Sequence, residues 1–367
     1  MNILFYYPGK ERSIAFSSLM IAFQQQGHNV FLLTHMPEGD LHHDVKKYGV
    51  QTFTHQIKKH ISSLFYLKHI LFLISFTNKN KIDIVYSHTQ QANIISVFAQ
   101  FFSLSRFIIC RHHAKRTGGY KNFNQDVFDI IINKLGKSFI VPSKKVYEQI
   151  IAEKVNPAKV KLIYYGYDFS KYTEPDINEV KIIKSKYSTQ LLLASVSRLV
   201  PGKRYEILFE TIHELIIDHN LDIKLMVVGD GDQMKKLEQF VTHNKLEKYI
   251  YLVGYKLNVI DYMAASDAVV LLSESEASNN VIKEAGLLKK CVLVCNDVGD
   301  FNDYIINNFS GLFLDREKPK DDLKKYLLML YENKINKSML GENLYKSVLD
   351  TFSIEQVISK YDEINQK

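Results

Sequence analysis

Short apolar runs, each too brief for a helix and each followed by a helical stretch, recur along this chain and limit the folds open to it. In the first half they read "NILFYY", "NVFLLT", "IDIVYSH", "RFIICRHH" and "KSFIVPS". Between the first two lies "SIAFSSLMIAFQQQ", with Ile14, Phe16, Leu19, Met20 and Phe23 on one helical face and Gly27 to end it. Continuously apolar strands are buried on both faces, so they predict a parallel sheet covered by helices on either side. The alternation pauses at the polar stretch "TEPDINEV", the best linker candidate. It restarts with "QLLLASVS", "IKLMVVGDGD", "IYLVGY", "DAVVLLS", "CVLVCN" and "GLFL". The expected fold is α/β: two doubly wound, Rossmann-like parallel-sheet domains facing a cleft. A length of 367 residues suits two cores better than one. The expected boundaries are 1–170, 171–350 and a closing helical segment, 351–367.

Charge is divided unequally between these halves. Met1–Ser170 holds 21 Lys and Arg against 10 Asp and Glu, while the remainder holds 26 against 30. Ten of the thirteen histidines also lie in the first half. That asymmetry suggests a first half facing something anionic, such as a phosphorylated ligand or an acidic membrane surface. No nucleic-acid-reading motif accompanies the charge, so a nucleic-acid partner is not expected. The most membrane-like stretch, "LFYLKHILFLISF" at residues 64–76, carries Lys68 and His69. It falls short of the roughly 20 apolar residues a spanning helix needs and reads as a mostly buried helix. "MNILFYYPGK" lacks the features of a secretory signal, and Cys110, Cys291 and Cys295 sit in apolar strands without a pairing framework. A cytoplasmic protein is the expectation.

In open parallel sheets, ligands collect in the loops after the carboxyl ends of the strands. Three such loops in the second half carry chemistry. "SRLVPGKRYE" sets Arg198 and Lys203 around a turn that opens a helix, where the dipole favours anions. Arg grips phosphate through two parallel bonds and Lys supplies a point charge. In "VVGDGDQM", Gly229 and Gly231 allow a tight turn and a close backbone approach. In "SESEASNNVIKEAG", residues 273–286, Asn279 or Asn280 is suited to cap a helix. Glu276 then lies in the loop and Glu284 in the early helix. Carboxylates accept from paired sugar hydroxyls, so two of them flanking a helix start outline diol, phosphate and diol, the plan of a nucleotide sugar.

These segments resemble retaining glycosyltransferases of family 4, which have the GT-B architecture. "SESEASNNVIKEAG" matches their Ser-x-x-Glu-x7-Glu-Ala signature, and "SRLVPGKRYEILFE" their phosphate loop. "LMVVGDGDQMKKLE", "YLVGY…DYMAASDAVVLLS" and "DVGDFNDYIINNFSGLFL" follow in the family's order. "FIVPSKKVYEQII" and "KVKLIYYGYDFSKY" match the end of the first domain. The resemblance implies that Arg198 and Lys203 bind the diphosphate, Glu284 the ribose and Glu276 the donor sugar, assisted by backbone N–H groups near Asn279 and Asn280. Tyr255 lies where the family's base-binding loop runs. "FIICRHH" implies a first-domain histidine reaching the donor sugar across the cleft, His112 before His113. Gly9 stands in the acceptor-side loop. The chain departs from the family with Ala277-Ser278-Asn279 after Glu276, with a single glycine in the first loop and with Asp303 where a Glu is usual.

The reaction implied is sugar transfer from a nucleotide-diphosphate sugar, UDP-sugar favoured, to a hydroxyl of a glycan, with retention. A double displacement needs two carboxylates flanking the bond about 5–5.5 Å apart, which two glutamates on one loop-helix do not suit. A front-face route fits better, the leaving diphosphate taking the acceptor's proton. Neither a metal nor another cofactor is expected. The basic first half prompts a lipid-linked glycan acceptor, as in surface polysaccharide assembly, with peripheral contact at the anionic inner face of the membrane. A dehydrogenase is disfavoured because "FYYPGKERSIAF" lacks Gly-x-Gly-x-x-Gly spacing. A sugar-nucleotide epimerase on the same scaffold, or a non-catalytic nucleotide-sugar-binding protein, is the alternative.

Overall fold

A computed structural model describes residues 1–365 apart from 12, 58–62, 113–122 and 277. It divides into two compact units, one of Met1–Lys171 with Phe352–Lys367, the other of Tyr172–Thr351.

The first unit is built on a seven-stranded sheet of β1 (Asn2–Tyr6), β2 (Asn29–Thr34), β3 (Gln51–Thr54), β4 (Ile84–His88), β5 (Arg106–Cys110), β6 (Phe139–Val141) and β7 (Val160–Leu162). The order is β3-β2-β1-β4-β5-β6-β7, every pairing parallel. The central strands are buried throughout, as their unbroken apolar runs require. The edge strand β3, "QTFT", escapes the sequence pattern because its residues are mostly exposed. Helix Ile14–Gln25 starts on the Ser13 hydroxyl, which accepts from the Phe16 N–H, and Gly27 follows it at φ +85°. Helix Ser63–Lys79 buries Leu73 and Phe76 but leaves Leu64, Leu67 and Leu71 half exposed or more, so the expected buried helix is buried on one side only. Helix Ile354–Asn365 also belongs to this unit, and its Val357, Tyr361 and Ile364 share a core with Phe5, Phe23 and Tyr86.

The second unit has six parallel strands: β8 (Leu191–Val196), β9 (Ile223–Val228), β10 (Ile250–Gly254), β11 (Ala268–Leu271), β12 (Cys291–Cys295) and β13 (Leu312–Leu314). Their order, β10-β9-β8-β11-β12-β13, reverses between β8 and β11. In open parallel sheets such a reversal is where ligands bind, here beyond the carboxyl ends of β8 and β11. The stretch "TEPDINEV" is not all linker. Asp176 accepts from the Asn178 and Glu179 N–H groups at 2.8 and 3.4 Å and starts helix Ile177–Lys186.

Candidate functional site

The loops after β8 and β11, on either side of the switch point, are tied together by backbone and side chain alike. Pro201–Lys203 forms one turn of 3₁₀ helix, and the Glu274 N–H donates to the Gly202 carbonyl at 2.9 Å. Lys203 Nζ donates to Ser273 Oγ at 3.2 Å and pairs with the Glu276 carboxylate, both side chains being largely buried. Lys203 and Glu276, assigned to phosphate and sugar from sequence, thus hold each other. Arg198 is brought into no such contact: its side chain is exposed and has no partner among the described residues.

Arg204, next to Lys203, is the residue that sequence reasoning missed. Its backbone is left-handed (φ +53°) and its side chain turns inward. Nε donates to the Leu272 carbonyl at 2.8 Å, one terminal nitrogen to the Arg316 carbonyl at 2.7 Å and the other to the Ser273 carbonyl at 3.3 Å. One guanidinium thereby ties the loops after β8, β11 and β13. Its fixed fork of donors suits carbonyls that converge from several strand ends.

The glycine loop after β9 lies flat on the loop after β8. The Ser197 N–H donates to the Val228 carbonyl at 3.2 Å and the Leu199 N–H to the Asp230 carbonyl at 3.0 Å. A Cβ at Gly229 (φ +147°) would stand 1.9 Å from the Ser197 carbonyl oxygen, so only glycine fits. Tyr255, just past β10, is 70% exposed.

Asn279 is the N-cap of helix Asn280–Leu287, its Oδ1 accepting from the Ile282 N–H at 3.1 Å. Asn280 is the first, exposed helical residue. Beneath this start lies a buried ion pair that the sequence did not announce. Lys283 donates to Asp300 and to Ser278 Oγ, each at 2.8 Å, while the Ser278 hydroxyl donates to Asp300 at 2.8 Å. Lys283 and Asp300 are fully buried, and their network pins the helix start to the turn at Gly299. Glu284, one residue on, is half buried, and its carboxylate has no hydrogen bond or ion pair among the described residues. Burial raises its pKa above the usual carboxylate range, and Lys283 offsets only part of that.

In the first unit, His112 follows β5 at its carboxyl end, and His88 closes β4. His88 Nδ1 and His112 Nε2 are 2.8 Å apart, and His112 Nδ1 lies 2.7 Å from the Tyr165 hydroxyl. Both ring nitrogens of His112 are therefore engaged. Burial, and next the neighbouring His112, push the His88 pKa well below its ordinary value, so His88 is held neutral. Gly9 follows β1, where a Cβ would stand 2.6 Å from the Tyr7 ring. His113 lies outside the described residues, as does Ala277. Among the described residues no group of three His, Cys, Asp or Glu is placed to hold a metal.

With this geometry in place, the likenesses to known proteins are informative. Residues 176–347 match the family model described as glycosyl transferases group 1, and residues 16–171 that described as glycosyltransferase family 4. The chain is 25% identical over 85% of its length to the UDP-Gal:alpha-D-GlcNAc-diphosphoundecaprenol alpha-1,3-galactosyltransferase of Escherichia coli, covering 82% of that protein. It is 23% identical over 87% of its length to the capsular polysaccharide biosynthesis glycosyltransferase CapH of Staphylococcus aureus, covering 86% of it. Among solved structures, the Anabaena protein HepE in complex with UDP superposes with a TM-score of 0.83 at 18% identity, over 100% of both chains. That likeness shows the fold, which is GT-B.

Proposed function

The chain belongs to glycosyltransferase family 4, and from that premise we propose that it moves a sugar from a nucleotide-diphosphate donor, a UDP-sugar, to a hydroxyl of a lipid-linked glycan during cell-surface polysaccharide assembly. The observation that carries the donor site is Glu284: a half-buried carboxylate, raised in pKa by its burial and left without a partner. Burying an unpaired carboxylate costs stability unless a ligand's hydroxyls complete it, and the vicinal hydroxyls of a ribose supply two donors. A UDP donor is supported by the name of the E. coli relative and by the nucleotide bound to HepE. The lipid-linked acceptor is supported by the diphosphoundecaprenol in that same relative's name.

In this reading Lys203 and Glu276 keep each other until the donor arrives. The diphosphate then takes Lys203, Arg198 swings onto it from solvent, and the released Glu276 accepts from the donor sugar's hydroxyls. The helix start at Asn280 adds its dipole to the charge that develops on the leaving diphosphate. Transfer runs on the front face with retention, the leaving phosphate oxygen accepting the acceptor's proton as the glycosidic bond forms. The cations already supply phosphate neutralisation, so the rate is expected to be the same with and without EDTA. His112 is assigned to the same reaction through its place after β5.

A thermal-shift screen against UDP-, GDP- and ADP-sugars tests the donor class, since a ligand of the folded form raises Tm with occupancy. No shift with any UDP-sugar would remove the proposed donor. Turnover assayed with and without acceptor separates transfer from epimerisation, and the anomeric configuration of the product by NMR tests retention. Arg198→Ala is expected to lower kcat/KM about 10- to 100-fold, the range for losing charge-assisted bonds to phosphate. Its Tm without ligand should not change, because the side chain has no partner to lose. A lowered Tm would show that Arg198 has a structural part instead.

A further inference from the structure

The first unit carries a cavity of about 830 Å³ that the transfer reaction leaves unused. It spans the amino-terminal ends of β5 and β6 and runs along β7 from Lys159 to Ile163. Arg106, Lys137, Lys159, Lys161 and Lys360 line it, with Glu363 as the one acidic lining residue. None of the five cations makes an ion pair among the described residues. Arg106 donates to the Ile364 carbonyl at 2.6 Å and Lys159 to the Gly136 carbonyl at 3.4 Å, which positions their charge without cancelling it.

Beside this cavity the chain exposes apolar side chains that nothing in the fold explains. Phe101 is 53%, Phe102 72% and Leu104 99% exposed, on the short connection that leads into Arg106. The loop is braced. The Phe102 N–H donates to the Ala99 carbonyl at 3.0 Å, and Ser103 Oγ lies 2.9 Å from Thr77 Oγ1. Lys137 stands 5.3 Å over the Phe101 ring, so the apolar loop and the basic cavity form one surface.

We propose that this surface docks on an anionic phospholipid membrane, the loop Phe101–Leu104 entering the interface and the cavity taking a lipid phosphate. Charge complementarity selects that occupant: unpaired cations draw the surface to anionic headgroups, and apolar side chains at its rim gain by leaving water. A soluble anion would answer the cavity but leave the loop unexplained. No described helix is long and apolar enough to cross a membrane, so the contact is peripheral. Because Arg106, Lys137 and Lys159 stand at or before the amino-terminal ends of their strands, away from the loops that hold Gly9 and His112, the surface is a tether and not an acceptor subsite. It deepens the reading of a membrane-side acceptor and rests on it for its purpose, though not for its measurement.

The test is sedimentation of the full chain with phosphatidylcholine vesicles, with or without about one third phosphatidylglycerol, in the absence of donor and acceptor. Binding is expected to the anionic vesicles alone and to weaken as salt rises. Phe102→Ser with Leu104→Ser, and separately Lys159→Ala with Lys161→Ala, should each reduce vesicle affinity by roughly tenfold or more at unchanged Tm. Leu67→Ser with Leu71→Ser, on the other exposed apolar stripe, should leave binding as it was. Equal binding to neutral vesicles, or normal binding by both loop and cavity variants, overturns the proposal; so does loss confined to the Leu67 and Leu71 variant. Transfer to a water-soluble acceptor should survive in the loop variant. If the wild type binds anionic vesicles yet transfers no sugar, the docking surface stands and the transferase reading falls.

Discussion

Glu284→Gln is expected to weaken donor binding about 10- to 100-fold and, in the same protein, to raise the Tm of the unliganded form. The first effect follows from exchanging a carboxylate, which accepts from two hydroxyls, for an amide that keeps one acceptor; bonds to a charged group are worth about 1.5–3 kcal/mol. The second follows from linkage. Burial holds the folded-state pKa of Glu284 above its unfolded value, so the protonated group's contribution to stability is complete below the unfolded pKa and is lost as pH rises through the folded one. At neutral pH the wild type bears that loss and the Gln variant does not. The Tm difference between them should therefore narrow as pH falls through the carboxylate range. Donor affinity of the wild type should decline over the same range, while that of the variant stays flat. Calorimetric titration with a UDP-sugar, paired with thermal melts at several pH values, reads both. Equal donor affinity in the two proteins would take Glu284 out of the site.

Gly229→Ala should cost the second unit about 3 kcal/mol or more, since the new Cβ meets the Ser197 carbonyl oxygen and both partners are backbone. For a unit of this size that is roughly 6–12 °C in Tm. Gly254→Ala is the control: its φ is also positive, at +77°, but nothing lies within 4 Å of the added carbon, so about 1 kcal/mol is expected. Because the loop after β8 carries Lys203, the Gly229 variant should lose donor binding beyond what its stability explains. Matched losses in the two variants would mean that the strain is torsional and the close approach is relieved at little cost.

What was legible in the sequence was local. The Asn279 cap, the strand ends and the spacing of Glu276 from Glu284 each need only a few neighbouring residues to be read. What was not legible depends on which strands become neighbours. Arg204 reaches carbonyls 68 to 112 residues away. The Lys283–Asp300 pair joins the helix after β11 to the turn after β12, and on paper each is an ordinary surface-type charge. The alignment of β4 with β5 sets His88 against His112, a contact between residues 24 apart in sequence. The edge strand β3 gave no apolar run because one side of it has no sheet to cover it.

Segment Phe352–Lys367 follows the entire second unit in sequence yet completes the first. Tyr361 packs edge-on against Phe23 and Tyr86, and Asn365 accepts from the Tyr86 hydroxyl at 2.5 Å. A nascent chain therefore emerges from the ribosome with an amino-terminal half that must wait, its hydrophobic face open, until some 180 further residues have been made. Premature termination would harm the half that was translated first.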